Sequence, residues 1–154
     1  MRFSLRYNLC GIAHLLMVVI CIAALDGCSR LTNRVVSQDV NVIAWEDRAE
    51  VVLEHEGDFK RCDMDILLHV NRTFDEESVA LELTFITPDS LRYSECVEAP
   101  ISVDWGTTAK YFSDIAIEYR RDVKLKKDGI YSVSIRPLKP LRGVESAGVN
   151  FRMK

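Results

Sequence analysis

After Cys28 this 154-residue chain is poor in the groups from which active sites are usually assembled. Three histidines occur in all, and only His55 and His69 follow Cys28. There is no Gly-x-Ser-x-Gly turn to expose a nucleophilic serine, no glycine-rich loop to cradle a phosphate, and no Cys–His signature of a thiol enzyme. A metal centre would need His55 and His69 to meet together with a carboxylate or thiolate, and their spacing matches no local ligand motif. Both are therefore expected on the surface. The acidic clusters Asp63-Met-Asp65 and Asp75-Glu-Glu77 lack the spacing of a calcium loop and are expected in solvated turns. Among so many acids, nothing selects a pair for glycoside hydrolysis. The reading is of a non-enzymatic protein with no cofactor, for which a small-molecule substrate is not expected.

Two further absences narrow the class. No basic stripe interleaved with aromatics is present, as nucleic-acid binding would favour. The densest basic patch, Arg120-Arg121 with Lys124, Lys126 and Lys127, is broken by Glu118, Asp122 and Asp128 and is expected to be a solvated strand edge or loop. After Cys28 no apolar i, i+3, i+4, i+7 stripe persists beyond about two turns, which argues against helices.

What the chain does have is a three-part N-terminus. Arg2 and Arg6 are its first charges, residues 9–25 form an apolar stretch, and small residues follow. That is the plan of a secretory signal peptide, here residues 1–27. A transmembrane anchor is the competing reading, but a spanning helix needs about 20 apolar residues, and this stretch is shorter and holds His14.

The end of the stretch, Leu25-Asp-Gly-Cys28, resembles the lipobox of bacterial lipoproteins, with Asp26 standing where that pattern has an uncharged residue. Cys21 follows the bulky Ile20, and Cys10 precedes most of the apolar stretch, so Cys28 is the fitting position. The resemblance implies diacylglycerol on the Cys28 thiol and an acylated new amino terminus. One acyl chain anchors a protein only marginally and stable anchoring takes more, so three would hold it at the membrane. Ser29 differs from the Asp that marks inner-membrane retention, and no acidic residue lies between Cys28 and Asp39 to resemble a surface-export tag. The expected address is the cell envelope, at the outer membrane facing the periplasm.

Removal of residues 1–27 leaves 127 residues with 18 basic and 22 acidic side chains, enough for one domain. Residues 28–41 are polar with scattered valines and suit a lipidated tether, leaving 42–154 as the folded domain. Within it the recurring signal is alternation. Met64, Ile66, Leu68 and Val70 fall on one face of a strand, and Val79, Leu81, Leu83 and Phe85 on one face of another. Leu91, Tyr93, Glu95 and Val97 alternate less cleanly, followed by short stretches at 101–103, 115–119, 131–135 and 149–153. Thr87-Pro-Asp-Ser90 reads as a type I turn, and Asp128-Gly129 as a turn dividing the next pair of strands. The fold expected is an all-β antiparallel β-sandwich, Ig-like or jelly-roll-like, of about seven to nine strands.

Several residues admit two readings. Cys62 and Cys96 could form a disulfide in an oxidising compartment, or each could be a small buried hydrophobe. Trp45 and Trp105 are expected to close the ends of the core, with Trp105 the better candidate for a binding aromatic on a loop. Asn71-Arg-Thr73 matches a glycosylation acceptor but is read as a turn.

The C-terminus carries a family resemblance. Gly129, Tyr131, Leu141, Gly143, Val144, Gly148, Val149 and Phe151 occupy the places of a Gly-x-Tyr strand, a Leu-x-Gly-Ile segment and a closing Val-Gly-hydrophobic strand. In these features the chain resembles the GldH-type family of gliding-motility lipoproteins. Trp45, Pro88 and Trp105-Gly106 are similar to that family's early tryptophan, central-turn proline and Trp-Leu-Gly stretch. The family's Arg-Asn appears here as Asn71-Arg72, and the Trp105 region lacks a second glycine pair. The resemblance implies a non-catalytic lipoprotein with envelope protein partners, supporting a machinery of motility and linked secretion. The alternative is a carbohydrate- or protein-binding lipoprotein of sandwich type.

Overall fold

The computed structural model describes residues 33–57, 60–106 and 110–154. The expected signal peptide and Cys28 lie outside the described residues. Eight strands are described: β1 (Asn33–Asp39), β2 (Ala49–His55), β3 (Lys60–Asn71), β4 (Ser78–Ile86), β5 (Arg92–Pro100), β6 (Phe112–Leu125), β7 (Gly129–Pro137) and β8 (Val144–Met153). They form two antiparallel four-stranded sheets, ordered β1-β8-β3-β6 and β2-β7-β4-β5. First pairs with last, second with seventh, third with sixth and fourth with fifth. That nesting is the strand order of a jelly roll, which decides between the two sandwich types expected.

Alternation explains the strands. In β3 the inward set is Cys62, Met64, Ile66, Leu68 and Val70, and in β4 it is Val79, Leu81 and Leu83, all buried. β2 contributes Ala49, Val51, Leu53 and His55, and β8 contributes Val144, Ala147, Val149 and Phe151. Branched and aromatic side chains facing one another across two pleated sheets make the core, each large one worth about 1.5–3 kcal/mol when fully buried. Trp45 closes one end: it is 1% exposed, forms a bridge with Leu141, and its indole N–H donates to the carbonyl of Asp47 at 2.8 Å.

Two expectations are corrected. The segment taken as a tether contains β1, paired over its whole length with β8, so the described sandwich begins at Asn33. Residues 101–103 form no strand and belong to the connection from β5 to β6. As expected, Asp128-Gly129 divides β6 from β7, and because these two lie in different sheets the turn is a corner. Gly129 has φ +129° there, and a Cβ on it would come within 2.9 Å of Pro88 Cβ.

The Thr87–Ser90 turn is as expected, with the Ser90 N–H donating to the Thr87 carbonyl at 2.9 Å. Ser90 follows at φ +63°, which makes a three-residue hairpin loop. The corner and this hairpin are tied by Lys127 Nζ on Asp89 at 2.9 Å.

Candidate functional site

A jelly roll of two open sheets has two sides on which edge strands face each other, and here the two differ. On one side β1 covers β2: the Gln38 amide oxygen accepts from the Glu50 N–H at 2.6 Å, and Arg34 donates to the Glu54 carbonyl at 2.5 Å. On the other side, β5 and β6 border a groove. Residues 101–106, which follow β5, lie at one end of this seam, and the Thr87–Ser90 and Lys126–Gly129 turns flank the opposite end.

At that second end the groove widens into a cavity of about 460 Å³. Its floor is Met64, Phe85, Leu125 and Tyr131, contributed by both sheets. Leu91 and Tyr93 form the β5 wall, 51% and 59% exposed, and Tyr119 and Val123 form the β6 wall. Lys124, Lys126, Lys127 and Asp89 stand at the mouth. A second cavity of about 440 Å³ continues the seam between Ala99–Ser102 and Asp114–Glu118.

One polar cluster crosses the seam. Glu95 on β5 accepts from the Tyr119 hydroxyl, and both of its carboxylate oxygens accept from one guanidinium nitrogen of Arg120 on β6, at 2.6 and 2.7 Å. The Arg120 guanidinium also lies 5.2 Å from the Tyr119 ring centroid. The Tyr119 hydroxyl, with help from Arg120, holds the Glu95 carboxyl below the usual range. Burial, reinforced by that same hydrogen bond, pushes the Tyr119 phenol up to about 12. This is a charge-neutral latch across the seam, with the proton held on Tyr119.

The residues singled out in the sequence do not converge. Cys62 is buried in the core and Cys96 exposed on the outer side of the other sheet, so both are free thiols and the possible disulfide is not formed. Burial pushes the Cys62 thiol up to about 11. Trp105 is half-buried, packs against the core, and carries the Arg72 guanidinium over its ring at 5.9 Å. It packs partly against the core, which Trp45 does fully.

His55 is not a surface residue. It completes the inward alternation of β2, is 3% exposed, sits edge-on to Tyr131, and among the described residues its Nε2 has no hydrogen-bond partner. His69 faces outward, stacked on Phe112 and bonded through Nδ1 to Asp114 at 2.7 Å. The register also sets Ser146 opposite His69, and among the described residues no hydrogen bond joins them.

Asp63 and Asp65 lie within β3 and not in a solvated turn, Asp65 being buried, and both are paired with cations, whereas in Asp75-Glu-Glu77 the ion pair is at Glu76. Lys154 reaches Asp63 at 2.9 Å, Arg152 reaches Asp65 at 3.1 Å, and Lys139 reaches Glu76 at 2.6 Å. Among the described residues no three His, Cys, Asp or Glu side chains gather as a metal site would require. Asn71 makes a turn, its Oδ1 accepting from the Thr73 N–H and hydroxyl at 2.8 and 2.7 Å.

Sequence reasoning missed the groove. Its one signal was the basic patch at 120–127, read as a solvated strand edge; it is the β6 edge and corner that line the mouth. Compared with known proteins, the chain matches no family model and no curated sequence.

Proposed function

We propose that this protein is a bacterial envelope lipoprotein, held through acylated Cys28 at the outer membrane and facing the periplasm. Its jelly-roll sandwich acts there as a non-catalytic component that supports an envelope motility or secretion machinery. The observation that carries the reading is Leu25-Asp-Gly-Cys28 at the end of a basic-then-apolar N-terminus. The resemblance of the C-terminal strands to GldH-type lipoproteins supplies the machinery. The seam between β5 and β6, apolar within and latched by a group that does not titrate near neutrality, favours holding a partner over turning over a substrate. The carbohydrate-binding alternative has less support, because Trp105 is half-buried with Arg72 over its ring.

The test is the mass and location of the protein in its own host. An acylated form beginning at Cys28, in the outer-membrane fraction, supports the anchor, and a soluble form that keeps residues 1–27 overturns it. Loss of secretion, envelope integrity or motility on deletion supports the role, and a deletion leaving all three intact refutes it.

A further inference from the structure

The cavity at the open end of the β5–β6 seam is chemically asymmetric, apolar below and cationic at its mouth. Its floor of Met64, Phe85 and Tyr131 offers no formal charge. Of the cations around it, Arg120 is matched by Glu95 and Lys127 by Asp89, whereas Lys124 and Lys126 form no ion pair among the described residues. The side chains of Leu91 and Tyr93 stand exposed beside that floor. Exposed apolar surface rimmed by polar groups marks a site that something covers, and about 460 Å³ is within the usual size of a small-ligand pocket.

We propose that this cavity binds a single-chain amphiphile with an anionic head, its hydrocarbon lying over Met64, Phe85 and Tyr131 and its head at Lys124 and Lys126. Charge decides the head: two unmatched ammonium groups at the mouth favour a carboxylate or phosphate and disfavour a neutral or cationic one. The latch decides against a peptide strand. Glu95 crosses to Tyr119 and Arg120 beside the cavity, so a chain lying along the whole seam would have to break it, while a chain that ends in the cavity leaves it intact. The proposal rests on the reading of the sandwich as a non-catalytic binding body and is independent of the anchor at Cys28.

The test uses the full chain in phosphatidylcholine nanodiscs, with a photoactivatable alkyne-tagged palmitate as probe and mass mapping of the labelled peptides. Label is expected on peptides bearing Leu91, Tyr93 or Phe85, and Lys124→Glu with Lys126→Glu lowers it by roughly tenfold. Both substitutions are at exposed positions, and an unchanged melting curve verifies that the fold is kept. Competition by palmitate alone assigns the head as a carboxylate, competition by lysophosphatidylglycerol alone assigns a phosphate, and either supports the proposal. Equal competition by monopalmitoylglycerol, or equal labelling of the charge-reversed variant, overturns it. So does a photoreactive residue placed at Tyr93 that captures a protein in the host while the purified chain takes no palmitate label. An unlabelled groove in a protein that is nonetheless acylated and recovered with envelope partners sinks this proposal alone and leaves the proposed function standing.

Discussion

The two sides of the jelly roll are built from the same materials and finished differently. Where β1 meets β2, side chains from one edge satisfy backbone groups of the other, through Gln38 to Glu50 and Arg34 to Glu54. Gly148 in β8 brings β1 so close that a Cβ there would lie 2.2 Å from the Val36 carbonyl oxygen. Where β5 meets β6, one carboxylate spans the gap, and aromatic and aliphatic side chains are left beside a cavity. An unpaired strand edge invites other chains, and proteins manage that hazard by covering the edge or charging it. The first side is covered. The second is charged along β6, at Asp114, Glu118, Arg120 and Lys124, yet keeps an apolar hollow, the place proposed above for an amphiphile.

Substitutions can break this contrast at several strengths. The largest effect is expected at the sealed end of the core, where Trp45→Ala removes a fully buried side chain and should cost about 3–5 kcal/mol. Tyr93→Ala, on the open wall, should cost under about 0.5 kcal/mol. Urea unfolding followed by Trp105 fluorescence measures both, and equal costs would abolish the distinction. Next is Gly148→Ala, which must push β1 away from β8; a loss of about 1–3 kcal/mol is expected from such overpacking, with faster hydrogen exchange confined to β1 and its neighbours.

A smaller effect belongs to the latch. The Glu95 carboxyl titrates below its ordinary 4.5 in the fold, so its contribution is fully present above that value and is lost as pH falls through the lowered one. Glu95→Gln should therefore cost under about 1 kcal/mol at pH 7, the carboxylate being partly exposed. The difference from wild type should vanish in acid, and a variant that stays equally weaker at pH 2 would mean that the ion pair is not what holds the latch. The smallest effect is expected at Cys96→Ser. With no bridge to lose it should alter stability by no more than about 0.5 kcal/mol, against the roughly 2–5 kcal/mol that loss of a native disulfide costs. In the same protein a thiol reagent should modify Cys96 readily and reach Cys62 only on unfolding, because Cys62 is buried and its thiol is held protonated.

How far the sequence could be read depended on whether a strand's apolar side meets the core. The alternations in β3 and β4 translate directly into buried faces, and the Thr87–Ser90 turn into a hairpin, because local pattern and tertiary packing agree. β1 gave no such signal: Val35 and Val36 are adjacent, only Val36 is half-buried, and the strand exists through its pairing with β8. The alternation of Ala49, Val51 and Leu53 in β2 went unread, and following that period one step further places His55 inside. Leu91 and Tyr93 show the converse, since alternation looks the same whether the apolar face is buried or borders an open seam. The groove itself was beyond reach, as Glu95, Tyr119 and Arg120 come together only when β5 and β6 are brought to the same side of two different sheets. The disulfide question turned on facing as well: Cys62 points into the core and Cys96 away from it.

The contrast between a sealed and an open side is tested most directly by hydroxyl-radical footprinting of the purified full-length protein. The account predicts rapid modification of Leu91 and Tyr93 with Trp45 and Leu53 untouched. Protection of Leu91 and Tyr93 to the same degree as Trp45 would contradict it.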